Sequence, residues 1–130
     1  MCVFCEIING NIPASKVYED DDVLAILDLS QTTKGHTLVM PKKHYQNILE
    51  IPQDELAKLF VKVQKIAKRV TTNLGANGFN ILVNTNEVAG QSVMHLHVHI
   101  IPRYDENDTI EIKTCENKID LAKVLEEINK

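Results

Sequence analysis

The chain has 130 residues, with 14 basic against 18 acidic side chains and five histidines outside that sum, for a formal net charge of −4. That length supports one core burying roughly two thirds of the surface an unfolded chain exposes, so a single domain over residues 1–130 is expected. The acidic balance excludes non-specific nucleic-acid binding, which depends on clustered Lys and Arg, and no apolar run approaches the roughly 18 to 20 residues that span a bilayer. With no basic region followed by an apolar one at the N-terminus, the expected compartment is the cytosol. Three cysteines, Cys2, Cys5 and Cys115, make a poor disulfide framework and fit that reducing compartment. Cys115 reads as an unpaired thiol in or near the core.

In chain order, residues 3 to 10 (VFCEIING) form one or two helical turns that Gly10 can stop. The acidic run Glu19-Asp20-Asp21-Asp22 separates two β-rich stretches, Lys16 to Tyr18 and Val23 to Leu29, and reads as a hairpin connection. His36 to Pro41 is a short apolar run entered through Gly35 and left at a proline, which favours a strand. Leu56, Leu59, Phe60, Val63, Ile66, Ala67, Val70 and Leu74 recur at intervals of three and four, the pattern of an amphipathic helix. Pro52 suits its first turn, Asp54 and Glu55 its positive dipole end, and Gly75 its termination. Phe79 to Asn84 and Val93 to Ile101 read as neighbouring antiparallel strands joined by a polar loop. A short helix over Asp120 to Ile128, capped by Asp120, closes the chain. The order of elements predicts an α+β fold, an antiparallel β-sheet with one long helix and a short C-terminal helix.

The stretch Met94-His95-Leu96-His97-Val98-His99-Ile100-Ile101 carries the chemistry. In a strand, residues two apart share a face about 6.7 Å from each other, so His95, His97 and His99 project together while Leu96, Val98 and Ile100 face a core. A neutral imidazole with a pKa near 6.5 can attack phosphorus and form a covalent intermediate. Spacing alone equally permits three imidazoles on one catalytic metal. The pair Cys2-x-x-Cys5 could join two imidazoles around tetrahedral Zn²⁺ or remain a reduced dithiol.

The string His95-Leu96-His97-Val98-His99-Ile100-Ile101 resembles the signature of the histidine triad (HIT) family, in which histidines alternate with apolar residues. The resemblance extends along the chain through Cys2-x-x-Cys5 with Ile7-Ile8-Asn9-Gly10, then Asp28, Gly35-His36-x-Leu38-Val39-x-Pro41-Lys42-Lys43-His44, Asn84 and Gly90-Gln91-Ser92-Val93. It implies a HIT-like fold, a homodimer, and hydrolase or transferase activity on nucleoside 5′-phosphates. The favoured substrates are purine nucleoside 5′-phosphoramidates and aminoacyl adenylate-type compounds, as in the Hint-like branch. A dinucleoside polyphosphate hydrolase, or a nucleotide-binding module with little turnover, are the other readings.

The resemblance makes His97 the nucleophile, oriented by the His95 carbonyl, with His99 donating to a non-bridging phosphate oxygen. It places Ser92 near the leaving group, Asn84 near phosphate and ribose, and Asp28 on the ribose diol. Phe4, Ile7, Ile8, Leu27 and Leu29 hold positions that flank the base in similar proteins or belong to the core. Gly90, Gln91, Ser92 and Val93 could offer backbone N–H groups to phosphate, and His36 stands behind the site, tuning His97 or His99. A structural zinc held by Cys2, Cys5, His44 and His95 completes what it implies. Lys42, Lys43 and Arg103 read as solvated surface.

Overall fold

A computed structural model describes residues 1–130. Helix α1 (Val3–Ile8) starts where the Cys2 side chain accepts the Cys5 N–H, and ends before Gly10, whose φ of +83° turns the chain out of the helix. Strands β1 (Lys16–Glu19) and β2 (Val23–Leu27) form the expected hairpin. Its turn is closed by Asp20, whose Oδ1 accepts the N–H groups of Asp22 and Val23, both at 2.8 Å. Strand β2 stops two residues before Leu29: the Asp28 N–H makes one last bond to the His36 carbonyl at 2.9 Å, and the Asp28 side chain then accepts the Ser30 N–H at 2.8 Å in a turn.

Strand β3 (Thr37–Pro41), helix α2 (Gln53–Leu74), strands β4 (Gly78–Leu82) and β5 (Val98–Arg103), and helix α3 (Leu121–Ile128) follow, with a 3-10 turn at Glu87–Ala89. The strands form one antiparallel sheet in the order β1-β2-β3-β5-β4. Pro52 is the N-cap of α2 and lies just outside the first turn, and Gly75 ends the helix in the left-handed region at φ +71°.

Both faces of the sheet are covered at β2. Val23 and Ala25 pack with Leu59, Val63, Ile66, Ala67 and Val70 of α2, together with Val39, Leu96, Val98 and Ile100. Leu24 and Ile26 pack with Phe4 and Ile7 of α1 and with Leu38 and Met40. Burial on both faces explains why Val23 to Leu27 is a continuous apolar run. No helix is long and apolar enough to cross a membrane.

Strand β5 begins at Val98 and not at Val93. Its pairing with β3 runs from Thr37↔Ile100 to Val39↔Val98 and stops. Two residues further, β3 ends in Pro41, which has no N–H for a ladder, and the Leu96 N–H bonds to the Tyr45 carbonyl at 2.7 Å. Strand β4 is shortened with it, ending at Leu82 opposite His99.

Gly35 sits at φ +92°, and a Cβ there would overlap the Leu74 side chain. Gly35→Ala therefore combines left-handed strain with overpacking and should cost about 3 kcal/mol. Urea denaturation measures this, and an unchanged midpoint would mean that Leu74 gives way freely.

From Glu111 onward every side chain is exposed. Cys115, expected in or near the core, lies outside it, because the segment that carries it is extended and packs on nothing in the body. Leu121, Val124, Leu125 and Ile128 of α3 are exposed as well.

Candidate active site

Leu96, Val98 and Ile100 are buried under α2, so His95, His97 and His99 occupy the opposite face, beside α1. Alternation holds even though only His99 of the three lies within β5. His97 Nδ1 donates to the His95 carbonyl at 2.7 Å, which leaves the Nε2 lone pair free. Phe4 meets the His97 ring edge-on at 5.0 Å and fixes its plane. The ring is 6% exposed, and burial lowers its pKa, so it is neutral near pH 7.

The proton on His99 is placed by a chain of two hydrogen bonds. His36 Nδ1 accepts the Thr32 N–H at 3.3 Å, so the His36 proton is on Nε2 and is donated to His99 Nδ1 at 2.9 Å. His99 then carries its own proton on Nε2, the nitrogen turned away from His36. Burial, followed by the neighbouring His97 and His36, lowers the His99 pKa to about 4. The expected NMR signature is a neutral Nε2–H tautomer of His99 from pH 8 down to about 5, with protonation near 4. Titration near 6.5 would sink the His36 relay.

Asp28 stands beside this pair, its Oδ2 3.6 Å from His36 Nε2 and its Oδ1 on the Ser30 N–H. The turn between Asp28 and His36 is held by Gln31, which donates to the carbonyls of Asp28 (2.6 Å) and His36 (2.8 Å) and accepts the Gly35 N–H (2.8 Å). No motif marks Gln31 or Thr32. Their contribution runs through main-chain groups, which the sequence does not display by residue type.

The loop before the triad divides differently from expectation. Asn84 Nδ2 donates to the Gly90 carbonyl at 3.4 Å, and Gly90 sits at φ +98° against the Asn84 amide. Gln91 is 2% exposed, and its side chain is consumed by the Asn86 N–H and the Gln46 and Val93 carbonyls. It ties the loop down and does not present its side chain outward. The N–H groups of Gly90 and Gln91 bond to the Glu87 and Asn86 carbonyls, so only those of Ser92 and Val93 are left for an anion. The Ser92 side chain is exposed and borders a cleft shared with Cys2 and His44, while Val93 packs against the Phe4 cluster.

The basic residues nearest the site in sequence are committed elsewhere. Lys42 pairs with Glu19 at 3.0 Å and Lys43 with Glu55 at 3.3 Å. Arg103 holds Asp108 at 2.9 Å and Asn80 at 2.8 Å, a buttress for the end of β5 and not a solvated surface charge.

Cys2, Cys5, His44 and His95 come together at the N-terminus of α1. His95 Nε2 donates to the Pro41 carbonyl at 2.8 Å, so its Nδ1 lone pair faces the sulfurs, 3.5 Å from Cys2 Sγ and 3.6 Å from Cys5 Sγ. His44 Nδ1 is 3.4 Å from Cys5 Sγ. A tetrahedral zinc with Zn–S near 2.3 Å and Zn–N near 2.05 Å separates S and N ligands by about 3.5 Å, so the four residues fit the ion. Burial, followed by the adjacent Cys2 and then Glu6, raises the Cys5 pKa. Both His95 nitrogens are thereby engaged, and a single metal on all three triad histidines has no ligand atom left there. Asp28, His36 and His99 also cluster, but there the short contact is the hydrogen bond already described.

A buried imidazole with its Nε2 free, a second with its proton on Nε2 and a third turned to a cysteine–histidine cluster make a histidine-triad arrangement. A HIT domain family model matches residues 9–106. The chain is 54% identical over 129 residues to a HIT-like protein of Methanocaldococcus jannaschii, with 98% of each covered. It is 43% identical over 106 residues to the adenylylsulfatase HINT3 of Arabidopsis thaliana, covering 82% of this chain and 54% of that protein. The fold superposes with a TM-score of 0.91 on a HIT family protein from Bacillus anthracis at 45% identity, covering 98% of this chain, the C-terminal helix included, and 92% of that one. A zinc-bound histidine triad family protein from Mycobacterium smegmatis matches at TM-score 0.80 and 37% identity, with 88% and 84% covered. The chain belongs to the HIT family, a family of nucleotide-binding proteins and hydrolases.

Proposed function

We propose that the protein is a nucleotide hydrolase or nucleotidyl transferase acting at the α-phosphorus of purine nucleoside 5′-phosphoramidates or related adenylates. The observation that carries this reading is the His97 Nδ1 bond to the His95 carbonyl, which points an unprotonated Nε2 outward from a buried ring. That nitrogen attacks phosphorus, the bond to the leaving group breaks, and the leaving group departs with the electron pair and takes up a proton. Water then cleaves the nucleotidyl–His97 bond and releases the nucleoside monophosphate. The Nε2–H of His99 donates to a non-bridging oxygen whose charge grows in the transition state. The free amides of Ser92 and Val93 and the side chain of Asn84 supply neutral donors, Ser92 lies toward the leaving group, and Asp28 accepts from the ribose hydroxyls. The similarity to an adenylylsulfatase supports an adenylate as the nucleotidyl part.

A single HIT unit over residues 1–130 is proposed, with zinc held by Cys2, Cys5, His44 and His95. When bound, the ion is structural: it would cross-link the start of α1 to the segment after β3 and to the residue that orients His97. Homodimerisation is supported by β4, an edge strand with partly exposed Phe79, Ile81 and Leu82 on its two faces. Reduced thiols and the acidic balance suit the cytosol.

The test is ³¹P NMR of adenosine 5′-phosphoramidate and diadenosine polyphosphate incubated with the protein. AMP from the phosphoramidate at the higher kcat/KM supports the reading. Preference for the dinucleotide moves the protein to polyphosphate hydrolysis, and binding without turnover of either makes it a nucleotide-binding module.

A further inference from the structure

We propose that Gln31 is a positioning residue that keeps the Asp28 carboxylate from capturing the His36 proton on which His99 depends. The proposal rests on the function proposed above, in which the His99 Nε2–H meets a phosphate oxygen and Asp28 meets the ribose. A single N–H lies between two acceptors. His36 Nε2 donates to His99 Nδ1 at 2.9 Å, and Asp28 Oδ2 lies 3.6 Å from the same nitrogen. Asp28 Oδ1 already accepts the Ser30 N–H at 2.8 Å, whereas Oδ2 accepts no hydrogen bond. At 3.6 Å the carboxylate is outside hydrogen-bond range, but its charge makes it the stronger acceptor, so distance alone gives the proton to His99.

The turn that carries these groups is fixed unevenly. Its second half is pinned to β5 and to the segment after it: Thr33 Oγ1 donates to the Pro102 carbonyl at 2.6 Å, Tyr104 OH to that of Lys34 at 2.6 Å, and Thr109 Oγ1 to that of Thr32. Its first half, Asp28 to Ser30, makes no such bond to the body, and Leu29 and Ser30 are exposed. Two ties hold it: the Asp28 N–H on the His36 carbonyl at 2.9 Å, and the Gln31 side chain. The Gln31 amide nitrogen bridges the Asp28 and His36 carbonyls at 2.6 and 2.8 Å, while its oxygen accepts the Gly35 N–H at 2.8 Å. Gln31 thus closes the first half of the turn against the second, and it alone holds the Asp28 carbonyl, the point about which the Asp28–Leu29 peptide turns.

Without that amide the carboxylate closes from 3.6 Å toward the 2.9 Å of its rival and takes the His36 N–H. His99 Nδ1 then loses its donor and the His99 proton can settle on Nδ1 instead. An unprotonated Nε2 would face the phosphate oxygen, lone pair against lone pair. A ribose diol counteracts this, because its two hydroxyls donate to Asp28 and occupy the oxygen that competes. Gln31 therefore matters most when the substrate lacks those hydroxyls, and it makes the placement of the His99 proton independent of whether ribose has been bound.

Long-range ¹H–¹⁵N spectra of the ligand-free protein read the His99 tautomer directly, and ³¹P NMR of adenosine 5′-phosphoramidate and its 2′,3′-dideoxy analogue reads turnover. In the wild type His99 should hold its proton on Nε2, and the two substrates should differ in KM more than in kcat. Gln31 is exposed, so replacing it leaves the core untouched. Gln31→Ala, and Gln31→Met as a variant of similar length without hydrogen bonds, should shift most of the His99 population to the Nδ1–H form. The kcat for the dideoxy substrate should then fall by about tenfold, and that for the ribose substrate by less than about threefold. Adding Asp28→Asn to Gln31→Ala removes the charged competitor. The Nε2–H form and the kcat of the Asp28→Asn single variant should then return, with KM still raised. An unchanged His99 spectrum in both Gln31 variants overturns the proposal. So does a loss that Asp28→Asn fails to reverse, which would make Gln31 a plain brace of the turn. A wild type that turns over neither substrate removes the function proposed above, whereas the spectra, taken without substrate, decide the role of Gln31 by themselves.

Discussion

Replacing His97 by asparagine should lower turnover of a nucleoside phosphoramidate by about 10⁴-fold or more, while nucleoside monophosphate binding changes only a few-fold. Asparagine keeps polarity and a similar bulk but has no nitrogen lone pair able to form a covalent bond to phosphorus. The donors proposed for the ligand, the Ser92 and Val93 amides and His99, are untouched by the change. Quenched mass spectrometry should show a nucleotidyl adduct on the wild-type peptide containing His97 and none on the variant. Full activity in the variant would remove covalent catalysis altogether. The wild-type pH profile carries a linked expectation: the unprotonated ring is the reactive form, and burial holds the His97 pKa below the ordinary imidazole value. The acid limb of kcat/KM should therefore fall below pH 6.5.

Removing zinc is expected to act through stability. A ligand present at a thousandfold excess over its Kd stabilises the folded state by about 4 kcal/mol, which in a domain of this size corresponds to roughly 15 °C in Tm. Cys5→Ser, or exhaustive chelation, should lower Tm by about that amount, and restoring zinc should recover it for the wild type only. Calorimetry with metal analysis reads the shift. At a temperature where the metal-free protein remains folded, activity should persist, because the free nitrogen of His97 is set by a backbone carbonyl and not by a metal. Loss of activity with the fold intact would place the ion in the chemistry. A Tm indifferent to chelation would leave Cys2 and Cys5 as a plain dithiol. The energetic reason for a staple at this point is local: α1 is six residues long and buries fully only Phe4 and Ile7.

Features governed by side-chain periodicity were legible in the sequence. The apolar stripe of α2, its stop at Gly75, and the alternation that separates the three histidines from Leu96, Val98 and Ile100 all depend on residue types at regular intervals. The meeting of Cys2, Cys5, His44 and His95 was reachable only by resemblance, since these residues span most of the chain. What the sequence concealed involves the main chain. The first ladder bond of β5 depends on a proline in another strand, and each triad histidine takes its orientation from a carbonyl or from a neighbour fixed by an amide. Gln91 illustrates the limit: a polar residue in a loop that resembles a ligand-binding segment proves to be a buried tie. Cys115 and α3 illustrate another, because an amphipathic pattern does not say which molecule covers it.

The pairing of Lys42, Lys43 and Arg103 with carboxylates has a consequence for how an anion is held. The donors facing the nucleotide's proposed position are amides, hydroxyls and neutral imidazoles, none of which brings condensed counterions to displace or a long-range field to be screened. Recognition of this kind is set by direction and dehydration, not by net attraction. A nucleotide site built this way would leave the grip on phosphate nearly indifferent to ionic strength, and would let an acidic protein select one nucleotide phosphate without collecting polyanions.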